Sequence, residues 1–390
     1  MNDILRNRIV FLCLWVLSLV GISLYGGPIS YGIFAMLTFL PVVSLFYVIY
    51  VYLSFRIYQV FHANHLVVDQ ITPFYFTLAN EYPIGFCSIK VSFFSTFSRI
   101  TGLQDDLEYE LLPHTDIKKQ TDIICRYRGE YEVGIKTIEI CDYFRLIRLR
   151  FHNKETLKAN VKPALVDLGE IYSMNTAKSL PKPVSLNPSE PDVLVRKYIP
   201  GDDIRRISWK QSARSGQLLV RNMSDEENEG VSILMETARY SEDQFVYLPV
   251  ENKILELTLA LALYFVKNNI PVNTCYMDDR YKEENVSSLN DFDAFYEVMS
   301  AVRFNKDNRT ELMMESAKGS GALYQSRAIF MILNRWTDHV SELVGLLREK
   351  NISIAVYLID DEGTYTDTGS MPQVEVIRLA SDAVLTEVLL

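Results

Sequence analysis

The sequence predicts three consecutive architectures: a helical hairpin that crosses a membrane, an all-β sandwich, and a three-layer α/β domain with a mostly parallel sheet. Three observations carry this. The 47 residues from Ile9 to Phe55 contain no Asp, Glu, Lys, Arg or His. Residues 57 to 166 alternate apolar and polar side chains in short runs, the period of half-buried strands. After Gly230, mostly apolar strand-length runs alternate with helical periods, as in sheets buried on both faces.

The uncharged run is broken at Gly26, Gly27 and Pro28, which leaves two spans at about 9–25 and 33–55. Both are long enough for a bilayer, which takes roughly 17–25 residues. Arg6 and Arg8 precede the first span, but there is no small-residue cleavage pattern and a longer apolar stretch follows at once, so a signal peptide is not expected. Pro41 should kink the second span. Arg6, Arg8 and Arg56 flank the hairpin while its connection carries no charge, so both ends are expected in the cytoplasm. Residues 1–56 are therefore read as a multi-pass anchor in the cytoplasmic (inner) membrane.

In the second region the strand signals lie at Ser88–Phe97, Leu107–Leu112, Thr121–Asp142 and Arg145–Phe151, with Arg128 and Gly129 turning into a strand pair. A linker follows over 167–195, proline-rich at Pro181, Pro183, Pro188 and Pro191. The basic segment 196–229 and the α/β domain 230–390 complete the chain. In that domain strands are expected at Gly230–Glu236, Pro271–Tyr276, Ala328–Leu333, Ile352–Ile359 and Val374–Leu379. Helices are expected at Asn252–Asn268, Phe292–Val302 and Asp338–Lys350.

Arg196 to Arg221 holds seven basic against two acidic side chains, a local charge of +5 in a chain of net −10. Pro200 and Gly201 turn the chain, Asp202 or Asp203 can cap a helix, and Ser215 with Gly216 can close it. Within that helix Arg206, Lys210 and Arg214 fall on one stripe, with Arg205 and Trp209 on the next. Such arginines could receive a partner's carboxylates or a phosphate. The alternative, which is favoured, is that Asp202, Asp203, Asp225, Glu226, Glu227 and Glu229 clamp them internally and Trp209 fills a gap between domains. The acidic balance elsewhere argues against nucleic acid.

Arg196, Tyr198, Gly201, Asp202, Arg205, Ile207, Trp209, Ser212, Ala213 and Arg214 together resemble the signature of the bacterial membrane-associated domain-of-unknown-function 58 family. The stretch Arg128–Gly134 and the aspartate-aromatic turn Asp142–Phe144 are similar to its upstream region. The family's usual Asp-Pro-Phe-Gly turn here has Tyr143 and Arg145 instead. The resemblance implies a von Willebrand factor A-like α/β domain and a MoxR-type AAA+ ATPase as protein partner; it supplies no reaction.

Domains of that type hold a divalent cation through Asp-x-Ser-x-Ser after the first strand. Here the positions are Glu236, Ala238 and Tyr240, with Asn334 and Arg335 after the Ala328–Leu333 strand, so no metal and no other cofactor is expected. The five histidines and five cysteines are scattered, and no GxSxG, HExxH or phosphate-loop motif occurs. The first expectation is thus a non-enzymatic scaffold or adaptor. A hydrolase or transferase with a site at the rim of the α/β sheet is the alternative. Calorimetric titration of the full chain with Mg²⁺ is expected to give no stoichiometric binding; a site abolished by Glu236→Ala overturns this reading.

Overall fold

The structure, a computed structural model, describes residues 2–61, 65–103, 107–169, 195–199, 207, 209–221, 230–350, 352–360, 365–367 and 374–386. The proline-rich linker and Gly201, Asp202, Arg205 and Arg206 lie outside these. The chain divides into two compact units, Met1–Ala164 and Leu165–Leu390.

The first unit opens with helices α1 (Asn2–Tyr25) and α2 (Pro28–Ser54), both long and apolar enough to cross a membrane. Gly26 closes α1 with φ +52° and donates its N–H to the Ile22 carbonyl at 3.0 Å. Pro28 then opens α2, earlier than the expected residue 33, because a first-turn proline loses no hydrogen bond there. From Ser44 onward one face of α2 is buried: Ser44, Val48, Val51 and Ser54 recur at helical spacing and pack on the strands that follow.

Eleven strands come next: β1 (Arg56–Phe61), β2 (Leu66–Val67), β3 (Thr72–Asn80), β4 (Phe86–Phe93), β5 (Ser98–Thr101), β6 (Glu108–Leu111), β7 (Thr115–Cys125), β8 (Gly129–Val133), β9 (Ile135–Cys141), β10 (Arg148–His152) and β11 (Leu157–Lys162). They form two four-stranded antiparallel sheets, β1-β3-β7-β5 and β10-β9-β4-β6, and a three-stranded sheet β2-β11-β8. The four-stranded sheets meet through an aromatic layer. Phe76 of β3 lies 5.6 Å from Phe93 and 6.2 Å from Tyr109, ring to ring, both on the other sheet.

The expected strand pair after Gly129 resolves differently. β8 pairs with β11 while β9 pairs with β4 and β10, so the chain changes sheets at Gly134. Gly134 has φ +85°, and a Cβ there would stand 2.5 Å from the Gln59 side-chain oxygen, which itself accepts the Ile135 N–H at 2.8 Å. Only glycine fits that corner.

The turn after β9 is organised by Asp142, which is 2% exposed. Its Oδ1 accepts the Leu146 and Ile147 N–H groups, both at 2.8 Å, and its Oδ2 accepts from Phe144 N at 3.3 Å and Ser44 Oγ at 2.8 Å. Arg145 sits in the left-handed region with φ +52°. The strain falls on a residue whose guanidinium pairs with Glu108 at 2.8 Å.

The second unit begins with a hairpin, β12 (Val195–Lys197) and β13 (Leu219–Arg221), that carries the short helix α3 (Trp209–Ser215). Its α/β part runs β14 (Val231–Met235), α4 (Gln244–Lys267), β15 (Val272–Asp278), β16 (Arg280–Val286), α5 (Leu289–Ala301), α6 (Thr310–Lys318), α7 (Gly321–Tyr324), β17 (Ala328–Leu333), α8 (Asp338–Glu349), β18 (Ser353–Ile359), β19 (Tyr365–Asp367) and β20 (Val374–Leu379). The strand order is β16-β15-β14-β17-β18-β20-β19, parallel except for the two edge strands.

Alternate side chains of β17 show the three layers. Ala328, Phe330 and Ile332 join the core under α4 and α5, whereas Ile329, Met331 and Leu333 join the core under α6 and α8. Helix α4 starts before the expected Asn252 because Asp243 caps it, its side chain accepting the Phe245 N–H at 3.0 Å. Leu168, expected in the linker, is buried in the first of these cores.

Replacing Asp142 by Ala leaves four donors without their acceptor and is expected to cost on the order of 3 kcal/mol. Ser44→Ala removes one donor and is expected to cost about 1 kcal/mol. Thermal unfolding of the full chain in lipid nanodiscs measures both.

Candidate functional site at the rim of the parallel sheet

Strand β14 is where the sheet's winding reverses. The chain leaves it to build β15 on one side, then returns to lay β17 against its other edge. Open α/β sheets form a crevice beyond the carboxyl ends of two such strands, because the loops that follow them diverge. Here the crevice is a cavity of about 460 Å³ lined by the segment after β14, the start of α4, the residues after β17, and Asp360 and Arg378.

Behind the lining residues Tyr240 and Asn334 lies Glu236, fully buried one residue past the end of β14. Its Oε1 accepts hydrogen bonds from the Tyr240 and Thr310 hydroxyls, and its Oε2 accepts the Asn334 N–H at 2.5 Å. The two hydroxyl oxygens lie 2.6 Å apart. Desolvation pushes the Glu236 carboxyl above its ordinary value, although the hydrogen bonds from Thr310, Tyr240 and the Asn334 and Arg335 backbone pull the other way. Tyr240 stands where the second serine of a cation-binding loop would be. The phenol instead folds back onto Glu236 and occupies the carboxylate directly. Thr310, the first residue of α6, was missed, since it lies 74 residues away and nothing local marks it.

Three arginines line the cavity. Arg239 makes a bidentate pair with Glu251 at 2.6 and 3.0 Å and lies 3.9 Å over the Tyr247 ring. Arg378 pairs with Asp360 at 3.2 Å. Arg335 lies 4.6 Å over the Tyr240 ring, and no described residue forms an ion pair with it. Tyr247 and Trp336 supply apolar wall between these charges. Oxygen ligands for a cation do not converge here: Ala238 has none, Tyr240 is spent on Glu236, and the groups at the mouth are cationic. The residues present therefore do not fit a divalent ion.

Part of the basic segment lies among the described residues. Arg196 lies on β12 opposite Val220, and the Tyr198 N–H donates to the Leu218 carbonyl at 2.9 Å. Ser212 is buried and accepts the Leu219 N–H at 2.8 Å, pinning α3 to the hairpin. Lys210 and Arg214 are exposed on α3; Arg206, their expected companion, is outside the described residues. Trp209, the first residue of α3, is 63% exposed. The acidic residues expected to clamp the arginines also lie outside the described residues.

Residues 194–288 match the family described as "Protein of unknown function DUF58". The DUF58 match runs from the β12 hairpin through β14, α4, β15 and β16, and so includes Glu236, Tyr240 and Arg239. No curated protein matches the chain. Solved structures with some likeness include α-2-macroglobulin of Salmonella reacted with methylamine, at 12% identity and a TM-score of 0.23, covering 29% of this chain and 7% of that one. A second is the GH20 exo β-N-acetylglucosaminidase of Vibrio harveyi with N-acetylglucosamine, at 10% identity and a TM-score of 0.16, covering 79% and 57%. The chain thus spans less than two thirds of either, and both likenesses are too distant to bear on its fold or activity.

Because the Glu236 pKa is raised on folding, the folded chain holds a proton that the unfolded chain releases. Stability from this group is complete below the ordinary value of 4.5 and declines as pH rises through the folded value. Glu236→Gln keeps an acceptor for Asn334 and is expected to flatten that decline. Glu236→Ala is expected to cost on the order of 3 kcal/mol by stranding three donors. Urea unfolding of the full chain between pH 4 and 8 reads both.

Proposed function

We propose that this chain is a non-enzymatic scaffold or adaptor, held in the bacterial inner membrane by α1 and α2, whose von Willebrand factor A-like unit docks a protein partner through the rim cleft. Both units lie on the cytoplasmic side in this reading, as the charges flanking the hairpin favour. The partner suggested by the DUF58 resemblance is a MoxR-type AAA+ ATPase. One observation carries the reading: the carboxylate at the place where such domains hold a cation is consumed by Tyr240, Thr310 and Asn334. What faces outward instead is a guanidinium on an aromatic ring, beside Tyr247 and Trp336. Arginine with tyrosine and tryptophan is the composition of protein-binding hot spots.

A catalytic reading of the same rim requires a nucleophile beside a base. Ser241, the hydroxyl nearest in sequence, accepts the Asp243 N–H at 3.1 Å and has no described histidine or carboxylate as its base. The cleft's acids are paired with its arginines. Binding is the chemistry this set of groups performs best.

A photo-crosslinker at Trp336 is expected to capture the cognate MoxR-type ATPase in intact cells, and Arg335→Glu to cut that capture about tenfold, as losing a hot-spot arginine does. Arg206→Glu with Lys210→Glu is expected to leave it unchanged. Capture unaffected by Arg335→Glu in a folded chain overturns the cleft as the docking surface.

A further inference from the structure

The turn from Asp142 to Ile147 has no part in docking at the rim, yet three of its backbone N–H groups are bonded to the Asp142 carboxylate. Helices α1 and α2 run side by side, the Trp15 indole N–H donating to Thr38 Oγ1 at 3.1 Å, so the start of α1 lies level with the second half of α2. The turn is seated on both helices at that level. Ser44 Oγ donates to Asp142, Asn7 Nδ2 donates to the Phe144 carbonyl at 3.3 Å, and Arg8 Nε donates to the Leu146 carbonyl at 2.8 Å.

Beside this seat lies a groove of about 480 Å³ between the two helices, walled by Phe11, Leu12, Trp15, Leu37 and Pro41. Arg8 lines it one helical turn before Phe11 and Leu12. Its Nε is spent on Leu146, and among the described residues no carboxylate pairs with its two Nη groups. The Thr38 hydroxyl already accepts from Trp15. Tyr143 and Phe144, on the same turn, are exposed.

We propose that this groove is a phospholipid site, with the phosphate on the Arg8 guanidinium and one acyl chain lying along Leu12, Trp15, Leu37 and Pro41. A peptide segment is disfavoured as occupant because its backbone N–H and C=O groups would meet almost no polar partner there. An acyl chain has none to satisfy. The cation selects an anionic headgroup: a zwitterionic lipid brings its own ammonium or quaternary amine, whereas phosphatidylglycerol presents phosphate alone and accepts two parallel N–H bonds. Exposed tyrosine and phenylalanine at this level suit the headgroup layer, where amphipathic rings collect. The site rests on α1 and α2 crossing a bilayer.

The test is native mass spectrometry of the full chain released from nanodiscs of equimolar phosphatidylglycerol and phosphatidylcholine. The wild type is expected to retain phosphatidylglycerol over phosphatidylcholine at a ratio about fivefold above the bulk ratio, the factor one interfacial arginine confers. Arg8→Gln keeps a donor for Leu146 but removes the charge, and is expected to bring the ratio back to that of the bulk. Leu37→Trp fills the groove and is expected to reduce retention of both lipids, while Arg56→Gln, outside the groove, leaves the preference intact. Thermal melts confirm that each variant folds. Wild-type adducts at the bulk ratio, or a preference that survives Arg8→Gln, overturn the site. Carbonate washing of cell membranes separates this failure from the failure of its premise: a chain that washes off has no spanning hairpin, whereas one that stays and shows no preference lacks only the lipid site.

Discussion

A parallel sheet whose two faces are both covered has only one place to meet polar chemistry, the ends of its strands. In the second unit the strands β14 and β17 are buried along their whole length and β18 at all but its first residue, by α4 and α5 on one face and α6 and α8 on the other. Their side chains are apolar almost throughout, so the first ionisable group along β14 appears where the strand stops, at Glu236. That group is still inside the fold, and its cost is met by recruiting donors from three separate segments. The rim cleft is arranged around this one buried carboxyl.

A second buried carboxylate does the corresponding work in the first unit. Asp142 accepts three backbone N–H groups of its own turn and one hydroxyl from α2. Both acids are satisfied mainly by neutral donors rather than by arginine. Burial and neutral donors make each a fixed point of geometry more than a source of field. The arginines of the rim lie further out, where solvent and aromatic faces share their charge.

Much of this was legible in the chain. The absence of charge from Ile9 to Phe55 announces the helices, and AIFMIL at Ala328–Leu333 reads as a buried strand with the bounds the structure has. Other elements were hidden for physical reasons. β16, with sequence RYKEENV, is an edge strand with one face in solvent, so its composition looks like a loop. α6 carries its burial on Thr310, Met313, Met314 and Ala317, a stripe too short to show a period convincingly. At the rim, Glu236, Tyr240, Asn334 and Arg335 could be singled out from strand ends. Thr310 could not, because only the tertiary fold brings it to Glu236. The basic segment misled in the other direction: a dense run of charge marked the hairpin that carries the family signature, while its tryptophan turned out to face solvent.

The burial of Val48 and Val51 ties two processes that are usually separate. These residues belong to a helix apolar enough for a bilayer, yet they are part of the hydrophobic core beneath β9. The strands of the first unit therefore lack a complete core until α2 is in place. A fragment cut at Phe55 would expose the surface that α2 now covers. The hairpin is thus a structural element of the β-rich region as well as the segment that precedes it in the chain.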